Sequence, residues 1–246
     1  MNTPADLPAL ATLGRLTADL AAGVSSTTLV EHLVDDLSRP YALDFAIRYE
    51  LAPAQRALTL HTTAGIASRY LPALKVVQLG EAVCGAVAQR RRPEAHSRVD
   101  ADPDERLALA RELDATAYAS FPLAAGPTVL GTLSVGSRTR PEFGCDELTL
   151  LGMAADLVTV AAARERDAAV LDASLAAHAA AEQRTENLQI ALVTNRTIAM
   201  AIGIVMARTG RTEEQAQLWL ADASQRSNRK MRVLAERIVH TGSLEV

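Results

Sequence analysis

From Met153 to Ile202 the chain contains neither glycine nor proline. Few features constrain a fold as tightly, because these are the two residues that break helices, glycine through backbone entropy and proline through its missing N–H. Alanine recurs along the run, and alanine loses no side-chain entropy in a helix. Asp146 is placed to cap the start, Glu147 suits the dipole of a first turn, and the pattern persists to Thr209, just before Gly210. A periodic stretch this long predicts a coiled coil or a helical stalk. Leu171, Leu175, His178, Glu182, Thr185, Leu188, Leu192, Asn195, Ala199 and Ile202 follow its three-four spacing. The ends of that seam are apolar and its centre is polar.

The sequence before this run reads as mixed helix and strand. Leu7, Leu10, Leu13, Leu16 and Leu20 predict a helix over Asp6–Val24, and Ser26 or Thr27 is placed to cap a second one that stops at Pro40. Leu43–Leu51 and Ala57–Thr63 read as an antiparallel hairpin around Ala52-Pro53-Ala54-Gln55. Short helices follow at Glu81–Gln89 and at Pro103–Leu113, the second behind Asp102. Strands at Ala117–Ala124 and Thr128–Ser137 flank the turn Ala125-Gly126-Pro127.

Beyond Gly210 the spacing Thr212-Glu213-Glu214-Gln215 is a capping box, opening a helix to about Gln225, and another is expected over about Arg229–His240. Ile198, Ala201, Ile202 and Val205, then Ala216, Trp219 and Leu220, then Met231, Leu234, Ala235 and Ile238 form three facing apolar stripes, the pattern of a three-helix bundle. Gly203 sits inside the first helix, where a glycine costs roughly 1 kcal/mol relative to alanine, so it is expected at a close helix contact.

Charge separates this region from the rest. Gln183–Val246 holds nine Lys/Arg against six Asp/Glu, a net of +3, so the overall −4 leaves −7 on Met1–Glu182. Arg226, Arg229, Lys230 and Arg232 lie together with no acid among them. Such a run fits either a surface that neutralises phosphates or the solvated face of a third helix. At helical spacing Arg226, Arg229 and Lys230 share a face. Gln225 and Asn228 add directional donors and acceptors suited to unpaired bases. Arg208 and Arg211 flank Gly210, where cations favour a helix C-terminus.

The C-terminal segment resembles the ANTAR family of RNA-binding antitermination domains. Arg196, Ile198, Ala201-Ile202-Gly203-Ile204-Val205-Met206, Ala216, Leu220, Ser224-Gln225, Asn228-Arg229-Lys230 and Ala235 carry the resemblance. It departs from the family pattern at Gln217 and Ala221, and Trp219 stands near the first departure. The resemblance implies binding to paired RNA stem-loops in a nascent transcript, with Arg196, Gln225, Arg226, Asn228, Arg229, Lys230 and Arg232 as the expected RNA-binding residues.

The N-terminal part resembles a GAF domain through Leu79-Gly80-Glu81-Ala82-Val83-Cys84-Gly85, Ala119-Ser120-Phe121-Pro122-Leu123, Val129-Leu130-Gly131-Thr132-Leu133-Ser134-Val135-Gly136 and Phe143-Gly144-Cys145-Asp146-Glu147-Leu148. GAF domains take varied small molecules, so the resemblance leaves the ligand and any cofactor unknown. Cys84, beside Gly85 at a helix start, reads either as a thiol sensor with lowered pKa or as a small buried apolar residue; Cys145 is expected to be partly exposed. His61 and His96 are isolated histidines, and no metal site is expected. Free methionine sulfoxide reductases share the GAF fold, but Asp100–Ala125 lacks the nucleophilic cysteine their chemistry needs, so no enzyme is expected.

The fold class expected is α+β: an antiparallel-sheet GAF domain, a long coiled-coil helix and a C-terminal three-helix ANTAR bundle. The expected segments are an N-terminal helix over 1–24, the GAF domain over 25–166, a linker helix over 167–182 and the ANTAR domain over 183–246. The expected function is signal-responsive antitermination by a cytoplasmic homodimer, with a small-molecule GAF ligand left open. The alternatives are a DNA-binding regulator with a GAF sensor, since three short helices also describe helix-turn-helix modules, and a dimeric protein-interaction sensor. With two lone cysteines, no signal-peptide pattern and no apolar run of about 18 residues, neither secretion nor a membrane partner is expected.

Overall fold

The computed structural model describes residues 6–52, 54 and 56–244. Pro53 and Gln55 of the expected hairpin turn, and the first five and last two residues of the expected end segments, lie outside the described residues. Two compact units partition the chain, one over Met1–Val170 and one over Leu171–Val246.

The first unit is built on a six-stranded antiparallel sheet in the order β3-β2-β1-β6-β5-β4. Its strands are β1 (Phe45–Ala52), β2 (Ala57–Ala64), β3 (Val76–Gln78), β4 (Glu94–Ser97), β5 (Ala117–Ala125) and β6 (Thr128–Ser137). Alternation along β1 sends Ala46 to one face and Phe45, Ile47 and Tyr49 to the other, where each belongs to a separate core. On the first face pack α1 (Asp6–Ala21), α2 (Ser26–Tyr41) and the start of α6 (Cys145–Thr209); on the second pack α3 (Leu71–Leu74), α4 (Ala82–Arg90) and the segment around α5 (Ala108–Glu112). The long edge of α2 buries Leu29, Leu33 and Leu37, each stabilising the unit by roughly 1.5–3 kcal/mol.

Several boundaries differ from expectation for identifiable reasons. The cap of α2 is Ser25, whose side chain accepts from the Thr28 N–H, and the helix takes Pro40 into its last turn because proline's own φ is helical. The helix expected over Pro103–Leu113 is a 3-10 turn, Glu105–Leu107, running into α5, and its cap is Asp104 rather than Asp102. The long helix begins at Cys145, so Asp146 lies in its first turn instead of before it. Glu147 accepts from the Gly144 N–H at 2.7 Å and pairs with Arg140. Strands β3 and β4, at the two sheet edges, were not expected from the sequence. Three or four residues are too few to show a period of two.

The second unit holds the rest of α6, then α7 (Glu213–Arg226) and α8 (Met231–Thr241). Its core joins Ala201, Leu220, Ala223, Leu234, Ala235 and Ile238, with Ile198, Ile202, Ile204, Trp219 and Met231 partly buried against it. The three expected stripes do face one another. The capping box is formed in both directions between Thr212 and Gln215.

One expectation about α6 is corrected, that for Gly203. By length and composition α6 is also long enough and apolar enough to cross a membrane. At its two ends α6 sends apolar side chains into two cores, while Val170, Leu171, Leu175, Leu188 and Leu192 between them are exposed. Gly203 is not at a helix contact: a Cβ built there meets nothing within 4 Å. An exposed mid-helix glycine only adds backbone entropy to the unfolded chain. Gly203→Ala is therefore expected to stabilise the second unit by about 1 kcal/mol in thermal or urea melts, and a loss of stability would show that the position is crowded.

Candidate functional site

Six of the seven expected RNA-binding residues lie at or beside the connection between α7 and α8, and the seventh, Arg196, lies on α6. Helix α7 ends at Arg226 and Ser227 caps it, its hydroxyl donating to the Ala223 carbonyl at 2.7 Å. Asn228 then turns left-handed, with φ of +49°. That conformation is costly for most L-residues but tolerated by asparagine. Lys230 is extended, with ψ of 136°, and α8 starts at Met231. The third helix therefore begins two residues later than expected. Arg229 and Lys230 are not on a helical face shared with Arg226; they belong to the turn.

Ser224 fastens this turn from both sides. Its hydroxyl donates to the Arg229 carbonyl at 2.5 Å, and its own carbonyl accepts from the Arg229 N–H at 3.2 Å. The Asn228 N–H donates to the Gln225 carbonyl at 3.2 Å. A turn held by three such bonds keeps the following side chains in place with little ordering entropy left to lose on binding.

Burial and pairing divide the basic residues into two kinds. Arg196, Gln225, Arg226, Asn228, Arg229, Lys230 and Arg232 are all exposed. Arg226 pairs with Asp222 at 2.9 Å and Arg232 with Glu236 at 3.5 Å, both one helical turn away. Among the described residues Arg196, Arg229 and Lys230 have no ion-pair partner. Exposed pairs contribute little, but each places a carboxylate beside a cation that a phosphate would otherwise occupy. The unpaired cations of the turn are thus the ones best presented to a polyanion. The sequence run of four did not distinguish them, because the acids that pair Arg226 and Arg232 lie outside it.

Arg208 and Arg211 have structural positions. The Arg211 guanidinium lies over the Trp219 ring at 5.8 Å, and Arg208 sits close to Gly242 at the end of α8.

Of the two readings of Cys84 in the first unit, the structure favours the small buried apolar residue. Cys84 is fully buried in the core beneath α4. Burial pushes its thiol up to about 12, outweighing the backbone N–H groups of Cys84 and Gly85 that favour the thiolate. A thiolate is the reactive form, so this side chain is held inert. Cys145 is exposed. Ellman's reagent at pH 8 is expected to titrate one thiol per native chain and two in denaturant; rapid loss of both thiols in the native protein would count against the buried assignment.

His61 and His96 do not meet. His61 is on β2 with Nδ1 3.5 Å from Glu50, and His96 is on β4 near Glu94, at opposite sides of the sheet order. Burial and the nearby Arg48 lower the His61 pKa, with Glu50 and Glu165 opposing them. No group of three metal-ligating side chains gathers among the described residues. Sequence reasoning passed over Arg48, although the alternation of β1 puts it on the same inward face as Ala46.

Comparisons with known proteins match two families along the chain. The family model for the ANTAR domain matches residues 186–239, and that for the GAF domain matches residues 24–163. A comparison with curated protein sequences found no match. Solved structures similar to the chain include the GAF domain of a phosphoenolpyruvate-protein phosphotransferase from Coxiella burnetii, with a TM-score of 0.57 at 19% identity, covering 68% of this chain and 99% of that one. The corresponding Acinetobacter GAF domain gives 0.55 at 16% identity, covering 69% and 99%. Free methionine-R-sulfoxide reductase from Neisseria meningitidis gives 0.55 at 18% identity, covering 68% and 95%. At these identities the likeness is one of fold.

Proposed function

The chain belongs to the GAF domain family and carries an ANTAR domain behind it, and on that premise we propose that it is a signal-responsive RNA-binding antitermination regulator. Both matched domains are regulatory modules rather than enzymes. The RNA partner is a pair of stem-loops in a nascent transcript, and binding disfavours a terminator hairpin. The observation that carries this reading is the fastened Asn228-Arg229-Lys230 turn, exposed and free of acidic partners. Arg229 and Lys230 supply phosphate contacts, joined by Arg196 and more weakly by Arg226 and Arg232. Gln225 and Asn228 supply hydrogen bonds to loop bases.

The working form in this reading is a cytoplasmic homodimer without a membrane partner. Leu171, Leu188 and Leu192 are 59%, 65% and 69% exposed in the single chain. Pairing α6 with a second copy as a coiled coil over about 167–182 and beyond would bury that seam. Because α6 contributes side chains to the cores of both units, a small molecule that alters the GAF core acts on a helix the RNA-binding unit also uses.

Filter binding of a two-hairpin RNA, set against duplex DNA of the same sequence, tests the reading. The expected result is salt-dependent binding that prefers the hairpins, with light scattering giving two chains per complex. A preference for duplex DNA would instead support a DNA-binding regulator, and no nucleic-acid binding at all would support a protein-interaction sensor.

A further inference from the structure

Arg48 is the buried charge that nothing above uses. It lies on β1 facing the core beneath α6 and is only 4% exposed. Its Nε and Nη1 have no hydrogen-bond partner among the described residues. The nearest carboxylate, Glu165, is 4.0 Å from Nη2. Glu165 is also committed elsewhere, since its two oxygens accept from the Ser26 N–H and the Ser26 hydroxyl at 2.6 Å each. Glu50 is turned to His61, 3.5 Å away. A guanidinium stays protonated inside a protein, so leaving its N–H groups unanswered in a low-dielectric site carries a large penalty.

These two nitrogens are shut off from solvent, and the residue itself borders a cavity. Arg48 lines a cavity of about 200 Å³, together with the carboxylate-bearing Glu50 of β1, Thr128 and Leu130 of β6 and Ala162 and Arg166 of α6, so that two cations and one acid border it. That is well above the roughly 10–15 Å³ that one water requires. Arg166 is exposed and brings a second guanidinium to the same cavity, while Thr128 adds a hydroxyl. Two guanidinium groups around a small cavity are a chemistry suited to an oxyanion, because their planar donor forks match carboxylate and phosphate oxygens.

We propose that this cavity is a binding site for a small oxyanion, a carboxylate or a phosphate, held between the Arg48 and Arg166 guanidinium groups with Thr128 as an additional donor. Burial of Arg48 lowers its pKa, with Glu165 and Glu50 opposing, in keeping with a cation short of compensation. An anion here touches α6 directly and offers the sensor domain a ligand class. The site stands on its own geometry and does not require the RNA-binding reading.

The test is an NMR titration of the full-length protein with sodium phosphate and with sodium acetate, against sodium chloride at equal ionic strength. The arginine Nε–H resonances are followed without RNA. The expected result is a saturable shift of the Arg48 Nε–H. Arg166→Gln should raise the midpoint roughly tenfold, the loss of one charge-assisted contact, and Arg48→Met should abolish the accompanying shift of the Arg166 Nε–H. If Arg48→Met fails to fold, Arg166→Gln and Thr128→Val, both at exposed positions, carry the test. A response to phosphate alone assigns a phosphate-class ligand, and a response to acetate as well assigns a carboxylate-tolerant site. An Arg48 Nε–H that neither anion moves, or an Arg166→Gln protein that titrates like the parent, overturns the proposal and leaves the RNA reading intact.

Discussion

With Arg229 and Lys230 both replaced by alanine, binding to a two-hairpin RNA is expected to weaken roughly a hundredfold at moderate salt. Each is an exposed cation without an acidic partner among the described residues, next to a turn held by Ser224. A charge-assisted hydrogen bond contributes roughly 1.5–3 kcal/mol, about tenfold or more in affinity for each lost phosphate contact. The salt dependence should fall with it, by about 0.7 in log–log slope for each contact on single-stranded RNA. Arg226→Ala serves as the internal contrast. Its guanidinium already pairs with Asp222 at 2.9 Å, so its loss should cost less. The α7–α8 turn keeps its backbone bonds in the double variant, and circular dichroism should be unchanged. Equal affinity and slope in parent and double variant would move the RNA surface elsewhere. Base reading needs a different substitution. Asn228→Ala would mix a lost amide with a strained backbone, because Asn228 has φ of +49°. Asn228→Gly keeps that conformation available and removes only the side chain. It is expected to narrow the gap between the preferred loop and a scrambled loop.

Replacing Gly131 by valine should have the largest effect on stability. Gly131 lies on β6 opposite Glu50 of β1, in the middle of the sheet. A Cβ built on it runs into the carbonyl oxygen of Tyr49, which is backbone and cannot swing aside. Overpacking a core costs about 1–3 kcal/mol even when side chains can adjust. Here two central strands must separate, so the cost should exceed that range and consume much of a stability that is typically about 5–15 kcal/mol. The expected result is a first unit that unfolds well below the parent's melting temperature or fails to fold, while α7 and α8 are untouched. Gly14→Ala is the control: it lies within α1 with nothing within 4 Å of the added Cβ, and it should melt at or slightly above the parent. A Gly131→Val protein that melts with the parent would mean that the β1–β6 pairing is not as close as described.

The contrast between Gly131 and Gly203 shows where the sequence stops. Both glycines interrupt an otherwise regular element, and the sequence offers no means of telling which one is crowded. Elements with their own local period were legible: the run that became α6, the capping box of Thr212 and Gln215, and the three stripes that became the second unit's core. Their signal lies within a few turns of the chain, where capping and amphipathic spacing act. What tertiary structure alone decided are properties set by neighbours distant in sequence. Edge strands β3 and β4 exist through pairing with β2 and β5 rather than through any pattern of their own. Cys84 is inert because a core closes over it, overriding the local amides that favour its thiolate. Arg48 is buried beneath α6, and its ion-pair carboxylate is drawn away by Ser26, more than a hundred residues earlier in the chain than Glu165. Burial, desolvation and competition for a shared partner act through space, and a linear sequence does not carry those distances.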